Sequence, residues 1–129
     1  MAITATSRII YDGQRHCTMQ FTGIGDGGGD ETNVLKVDVS AFSPPCVSVA
    51  IKRISYDVSY GVLEMLWDAM TPVTFAMLEG GDEIDYCRIN GLTNGGGVTA
   101  TGNILFSTRG FELNSNYTVV LEMRKKDKL

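Results

Sequence analysis

The nucleophiles and bases of this sequence do not form a catalytic group. His16 is the single histidine, and a histidine-based triad needs a serine or cysteine beside it in space together with an orienting acid. Cys17 follows His16 directly, and adjacent residues of a β-strand point to opposite faces. We therefore predict that His16 is an exposed strand residue and that the chain contains no catalytic residues.

Metal ligands and paired carboxylates are equally sparse. The three cysteines, Cys17, Cys46 and Cys87, show no C-x-x-C spacing, and together with one histidine they cannot build a zinc site. Such an odd, sparse set indicates buried thiols in a reducing compartment. The four carboxylates of residues 79–85 fall around one predicted turn, so they do not oppose each other as the pair of a glycoside hydrolase does.

The glycine-rich loop at 23–31 carries three acidic residues, Asp26, Asp30 and Glu31. Its glycines match the spacing G-x-G-x-x-G, but a dinucleotide site requires a helix N-terminus directly after them, and a strand is predicted here. The carboxylates could bind Ca²⁺, although their spacing fits no EF-hand. We favour a hydrophilic loop tip, or an arm that becomes ordered against a neighbouring protein, and we expect no metal and no cofactor.

The rest of the sequence is typical of a β-sheet. β-branched and aromatic residues alternate with polar ones, and turn residues such as Asp12-Gly13 separate the runs. About eight to ten strands are expected, which indicates a single-domain antiparallel β-sandwich or a jelly-roll-like β-barrel. The predicted strands are residues 3–11, 15–22, 33–39, 47–58, 62–68, 73–78, 84–89, 98–107 and 117–124.

Alternation also predicts which side chains face the core. In 33–39, Leu35, Val37 and Val39 should point inward, while Lys36 and Asp38 should point outward. In 47–58 the apolar residues change parity at Lys52-Arg53, which predicts a β-bulge or a strand that crosses between sheets.

One element has an alternative assignment. Residues 62–68 form a strand in a meander if Gly61 before them and Pro72 after them act as turns, but their Leu, Glu and Met residues also suit a short helix. We favour the strand. Residues 79–82, Glu-Gly-Gly-Asp, predict a turn.

Composition narrows the possible functions. With 129 residues and 43% hydrophobic content, one domain spanning 1–129 can bury a real core. The net charge of −4 argues against a nucleic-acid partner. No signal peptide and no membrane-length apolar run is seen, so we expect synthesis in a cytoplasm and no membrane contact. The N-terminus should be flexible, and the basic tail 124–128 should be a solvated terminus, with phosphate or an acidic protein surface as its alternative contact.

Several residues are candidates for an interface with a partner. Trp67 is expected to be a core anchor, and its alternative is a surface hot spot or a stacking platform. The second glycine-rich loop, at 93–97, and the loop at 23–31 are natural gripping arms. The candidate interface residues are Trp67, Asp26, Asp30, Glu31, Thr93 and Asn94.

Four stretches carry a resemblance to a known class of proteins. Residues 32–38, 65–69, 102–111 and 116–122 resemble small virion proteins of tailed bacteriophages, namely capsid cement or decoration proteins. The resemblance covers most of the chain, but no motif matches position by position, so no binding residues are carried over.

The resemblance implies a non-enzymatic role on the capsid surface of a virion. It implies contacts with the major capsid protein and with copies of the chain itself, often as trimers at threefold positions, and avidity from several weak contacts would strengthen such binding. The alternatives are a tail or head–tail connector component, and a carbohydrate-binding sandwich that uses Trp67 with Tyr56 or Tyr60.

Overall fold

A computed structural model describes residues 3–25 and 30–128. Within these residues the chain forms seven strands and three short 3₁₀ helices, the latter at Val39–Ala41, Cys87–Ile89 and Gly97–Thr99. The strands are β1 (Ile3–Asp12), β2 (His16–Gly25), β3 (Val34–Val37), β4 (Ser48–Trp67), β5 (Val73–Asp85), β6 (Ile104–Arg109) and β7 (Asn116–Lys126).

The strands form one antiparallel sheet that folds over on itself. Their order is β1-β2-β7-β4-β6-β3, and β5 pairs with β4. β4 pairs with β7 from Ser48 to Val58 and with β6 from Val62 to Trp67, and β5 follows it along both halves. The first layer therefore holds β1, β2, β7 and the adjoining halves of β4 and β5, and the second layer holds β3, β6 and the other halves. This nearly closed β-sandwich confirms the all-β prediction.

Glycines stand where β4 and β5 pass from one layer to the other. Gly61 has φ +88° and Gly80 has φ +72°, a region that side chains other than glycine adopt at a cost. A Cβ atom on Gly61 would also lie 2.6 Å from the carbonyl oxygen of Arg109 and 2.8 Å from the ring of Phe111. The bend in β4 consequently requires glycine.

Aromatic side chains fill the space between the layers. Phe21 on β2 meets Phe106 on β6 edge to face, with ring centroids 5.0 Å apart. Tyr117 on β7 contacts both Phe106 and Phe111, at 6.1 and 6.0 Å. Because β2 and β6 do not pair with each other, these contacts join the two layers directly, in the geometry that aromatic rings prefer.

Nine predicted strands become seven because two pairs of them are continuous. Residues 47–58 and 62–68 are both parts of β4, so 62–68 is strand and not helix. The predicted turn at 79–82 is wrong, since β5 runs from Val73 to Asp85 and bends there without leaving β4. Three strand ends also differ: Val39, residues 87–89 and residues 98–99 belong to 3₁₀ helices.

The predicted bulge is present in β4, and a second bulge, in β3, explains an error in the predicted faces. Pairing between β4 and β7 skips Lys52, and the crossing between layers follows farther along, near Gly61. A similar register shift in β3 leaves out Lys36, which exchanges the faces expected for Leu35 and Lys36. Leu35 is 50% exposed, whereas the Lys36 side chain is only 8% exposed. Val37 is buried as predicted.

Replacing Gly61 with alanine should destabilise the fold by about 3 kcal/mol, because it adds a steric clash to an unfavourable φ. Gly97 also has positive φ, +81°, but a Cβ atom added there would meet nothing within 4 Å. Gly97→Ala should therefore cost only about 1 kcal/mol. Urea denaturation measures both, and equal losses for the two variants would refute the role given to the bend.

Candidate interaction surface

β1 is a free edge of the first layer. Among the described residues it pairs only with β2, so its other side presents unpaired backbone N–H and C=O groups. All six side chains of residues 6–11 are exposed, and we call this segment the β1 edge. Because neither face of this segment is covered, its backbone pairing with β2 is what holds it in place.

Ile9 shows that the second layer stops short of β1. It lies opposite Met19 on β2, and directly opposed residues share a face of the sheet. Met19 is 7% exposed, yet Ile9 on the same, inward face is 42% exposed. Ser7 is likewise exposed although its opposite residue, Phe21, is fully buried. The inward face of β1 is therefore uncovered, and a strand added at this edge could cover it.

The opposite edge of the first layer is acidic. The second half of β5 pairs with β4 alone among the described residues and carries Glu83 and Asp85. Arg53 of β4 faces these two carboxylates and Glu122, at 3.6, 3.5 and 3.4 Å. One cation among three carboxylates leaves this edge with surplus negative charge.

The carboxylates of Asp30 and Glu31 make contacts within the chain. Asp30 accepts hydrogen bonds from the backbone N–H of Phe111 at 3.0 Å and from the Thr108 hydroxyl at 3.1 Å. Glu31, whose side chain is 8% exposed, binds Lys36 at 2.9 Å and accepts the Tyr117 hydroxyl at 2.8 Å.

These contacts bear on the prediction that the 23–31 loop is a hydrophilic tip or an arm that contacts a partner. Residues 23–25 belong to β2, and Asp26 lies outside the described residues. Burial, followed by the hydrogen bond to Glu31, raises the pKa of Tyr117, so its hydroxyl stays protonated and keeps donating. Glu31 therefore faces the protein interior and not a partner, while a partner contact by the exposed Asp30 stays a prediction.

Trp67 belongs to the core, which confirms its expected role as a core anchor and contradicts the alternative of a surface hot spot or stacking platform. It is 2% exposed and stacks on Phe75 with ring centroids 4.1 Å apart. Gly95 and Gly96 of the 93–97 loop lie over it, so close that Cβ atoms added to them would stand 3.6 and 3.4 Å from its atoms. The loop covers the indole, which removes Trp67 as a stacking platform for sugars.

Thr93 and Asn94 occupy the same covering loop. Thr93 is exposed and Asn94 is partly buried, with its side-chain oxygen accepting the Gly96 N–H at 2.8 Å. Beside them is an apolar tip that the sequence did not reveal: Met70 is 85% exposed and Val98 fully exposed. The backbone N–H of Met70 donates to Thr99 at 3.0 Å, which holds the two turns together. Isolated apolar residues in turns have no periodicity by which they could be recognised.

The described residues contain no arrangement of nucleophile and base. His16 is exposed and Cys17 is buried behind it, as expected for neighbours on a strand. Burial raises the pKa of the Cys17 thiol to about 12, so it is not a thiolate at neutral pH. Across residues 3–25 and 30–128, no three His, Cys, Asp or Glu side chains are grouped to hold a metal ion, and no helix is long and apolar enough to cross a membrane.

The basic tail is part of the sheet up to Lys126, which corrects the prediction of a solvated terminus. The Lys125 side chain is 4% exposed, with its ammonium 2.5 Å from Asp12 and 2.9 Å from the carbonyl oxygen of Pro44. Its hydrogen bond holds the pKa of Asp12 below the usual range. The neighbouring groove, about 640 Å³, is lined by Arg15, Arg124 and Lys126 among others.

A polar cleft on the second layer contains a buried acid. Glu64 is 7% exposed, accepts the Thr74 hydroxyl, and binds the Arg109 guanidinium through two contacts of 3.1 and 2.9 Å. The Thr74 hydrogen bond, and then Arg109, hold the pKa of Glu64 below its ordinary value. These contacts link β4, β5 and β6.

Comparison with known proteins assigns no activity to these surfaces. No family model and no curated protein matches the sequence. Among solved structures, an RmlC-like cupin protein from Desulfovibrio desulfuricans is similar at 8% identity and a TM-score of 0.34, over 91% of this chain and 80% of that protein. A likeness of this size carries no argument about a site, and the strand pairings themselves define the architecture.

Glu64→Gln should lower the free energy of unfolding at neutral pH by about 1–3 kcal/mol, because it leaves the buried contacts with Arg109 and Thr74 imperfect. A lowered folded-state pKa means that the ionised group stabilises the protein above its unfolded pKa, near 4.5, and that this contribution is lost as pH falls through the folded value. The gap between variant and wild type should therefore shrink in acid. Glu112→Gln, at an exposed position, should behave like wild type throughout; a gap that widened in acid would contradict this account.

Trp67→Ala should destabilise the protein by about 3–5 kcal/mol, as expected for the loss of a large buried aromatic side chain. Tyr60→Ala provides the control, since Tyr60 is 58% exposed and should change stability little. Thermal and chemical denaturation measure both. If Trp67→Ala retained wild-type stability, the core role of the indole would be wrong.

Proposed function

We propose that this protein is a non-enzymatic structural protein that binds its neighbours by strand addition at the β1 edge. More specifically, we propose that it is a decoration protein on the head of a tailed bacteriophage, in contact with the major capsid protein and with copies of itself. The observation that carries the proposal is the ten-residue strand β1, whose residues 6–11 are exposed on both faces. The phage assignment is supported by the sequence resemblance alone.

Strand addition would satisfy the β1 edge in two ways. A partner strand would pair with the free backbone groups, and its own inward side chains would cover Ile9. Proteins that remain monomeric protect long edges with charge, proline or bulges. In residues 6–11 the only charged side chain is Arg8 and there is no proline. The register shift at Ile10 limits regular pairing to the residues before it, so up to seven residues remain available.

The apolar tip supplies a second contact. Met70 and Val98 project at an end of the second layer, where β4 turns into β5, so a subunit held at the β1 edge could touch another neighbour there. Several contacts of modest strength combine through effective concentration. This is the mode of binding that a repeating shell of identical subunits offers.

A tail or head–tail connector component is the second candidate. The observation in its favour is that the first layer has a free edge on each side, β1 and the second half of β5. Edges on both sides of one layer allow sheet extension from subunit to subunit, which is how rings and tubes are built. Carbohydrate binding is not proposed, because Trp67 is buried.

Ile9→Lys should abolish binding to phage heads while leaving the subunit folded, because an inward-facing charge on an edge strand opposes strand addition. The measurement is co-sedimentation of the protein with mature heads stripped of accessory proteins. Leu113→Lys is the matched control, since Leu113 is 66% exposed and belongs to the segment between β6 and β7, not to β1.

Saturable binding of the wild type and the control, without binding of Ile9→Lys, would support the decoration role. Binding to tails or connectors instead of heads would favour the second candidate. Equal binding of Ile9→Lys and wild type would rule out the β1 edge as the contact.

A further inference from the structure

We infer that the partner of the β1 edge is the acidic β5 edge of a second copy of this chain, joined to it as a parallel strand pair. This inference rests on the proposed function and goes beyond it by naming the surface that β1 binds. The two edges belong to the same layer of one subunit, so the contact would run head to tail from copy to copy.

The registers of the sheet place complementary residues at the same level of the two edges. Starting from Arg8, the directly opposed residues across the first layer are Gln20, Val120, Ser55 and Glu83. Starting from Ile9, they are Met19, Leu121, Ile54 and Ile84. Without any shift along the strands, Arg8 of one copy would therefore meet Glu83 of the next, and Ile9 would meet Ile84.

Each of the two pairings matches the environment on its face of the sheet, apolar on the core face and charged on the outer face. The row of Ile9 and Ile84 runs through buried Leu121 and Ile54, so it faces the core, and an added Ile84 would extend that apolar face beneath the half-exposed Ile9. Arg8 and Glu83 lie one residue away on each strand and so face outward. Opposite charges at opposed positions of neighbouring strands are stabilising.

The strand directions fit a closed assembly. Four antiparallel steps separate β1 from β5 across the first layer, through β2, β7 and β4, so β1 and the second half of β5 point the same way. Copies related by rotation about an axis along the strands would pair these edges in parallel. A heterologous contact of this kind gives a ring when the rotation closes.

Charge argues against the two symmetric alternatives. Two β5 edges placed together would bring the carboxylates of Glu83 and Asp85 beside those of the second copy. Arg53 could not offset this repulsion, because it already faces three carboxylates. Two β1 edges would offer Arg8 no free acid, because the carboxylate of Asp12 is bound by Lys125. The pairing of β1 with β5 gives Arg8 an acidic partner and gives the acidic edge a cation.

Charge reversal tests the contact. Arg8→Glu and Glu83→Arg should each weaken self-association of the purified protein roughly tenfold, and the double variant should recover most of it. Sedimentation velocity across a range of concentrations and salt measures the effect, with circular dichroism as the check on folding. Arg88→Glu, at an exposed site on the 3₁₀ helix Cys87–Ile89, is the control and should associate like wild type. A monomeric wild type, or a double variant no better than the single ones, would overturn the inference.

Cross-linking separates the head-to-tail contact from a symmetric one and does not depend on the charge variants. In a Cys87→Ser background, a mixture of Arg8→Cys and Glu83→Cys proteins should form a disulfide-linked dimer under mild oxidation, since opposed strand positions lie within disulfide reach. Dimers from Arg8→Cys protein alone would show β1 pairing with β1 and refute the inference. If heads bind the protein but no mixed dimer forms, the proposed function survives and this inference fails; the reverse result refutes the head-binding role alone.

Discussion

The architecture depends on one backbone constraint, which is the bend of β4 at Gly61. At that point the strand leaves β7 and joins β6, and β5 follows it by bending at Gly80. A single sheet thereby becomes two layers that can enclose Phe21, Phe106 and Tyr117. The free edges result from the same event, because a sheet that folds over without closing fully leaves strands at its margins. The proposed binding surface and the core therefore share one cause.

Much of the fold could be predicted from local pattern, and the errors arose where pairing overrides pattern. In residues 47–58 a change of parity among the apolar residues located the bulge of β4 at Lys52. The glycine pair at 80–81 predicted a turn because glycine permits reversals, but β5 pairs with β4 on both sides of a register shift there, so the chain bends without reversing. At Lys36 a bulge in a four-residue strand exchanged the faces of Leu35 and Lys36, and the buried ion pair with Glu31 has no signature in a single sequence.

The interaction surface was harder to predict than the core for a related reason. The register with Met19 assigns Ile9 to the inward face of β1, but neither that register nor the sequence pattern reveals whether a second layer reaches that far. For Trp67 the sequence favoured a core anchor but left a surface position open, and only the structure shows that the glycines at 95 and 96 pack over it. Whether an apolar side chain is covered depends on strands distant in sequence. The complementary positions of Arg8 and Glu83 likewise emerge only when four strand registers are combined.

The position of β7 has a consequence for biosynthesis. β7 lies between β2 and β4 and is, among residues 3–25 and 30–128, the only strand that connects the β1–β2 hairpin to the rest of the sheet, yet it is the last of the described strands to be translated. The β1–β2 hairpin is translated before β7 and must wait until about residue 126 before it can join the layer, so its closure is a long-range event. A subunit therefore becomes competent to assemble through the β1 edge only after translation has passed through β7.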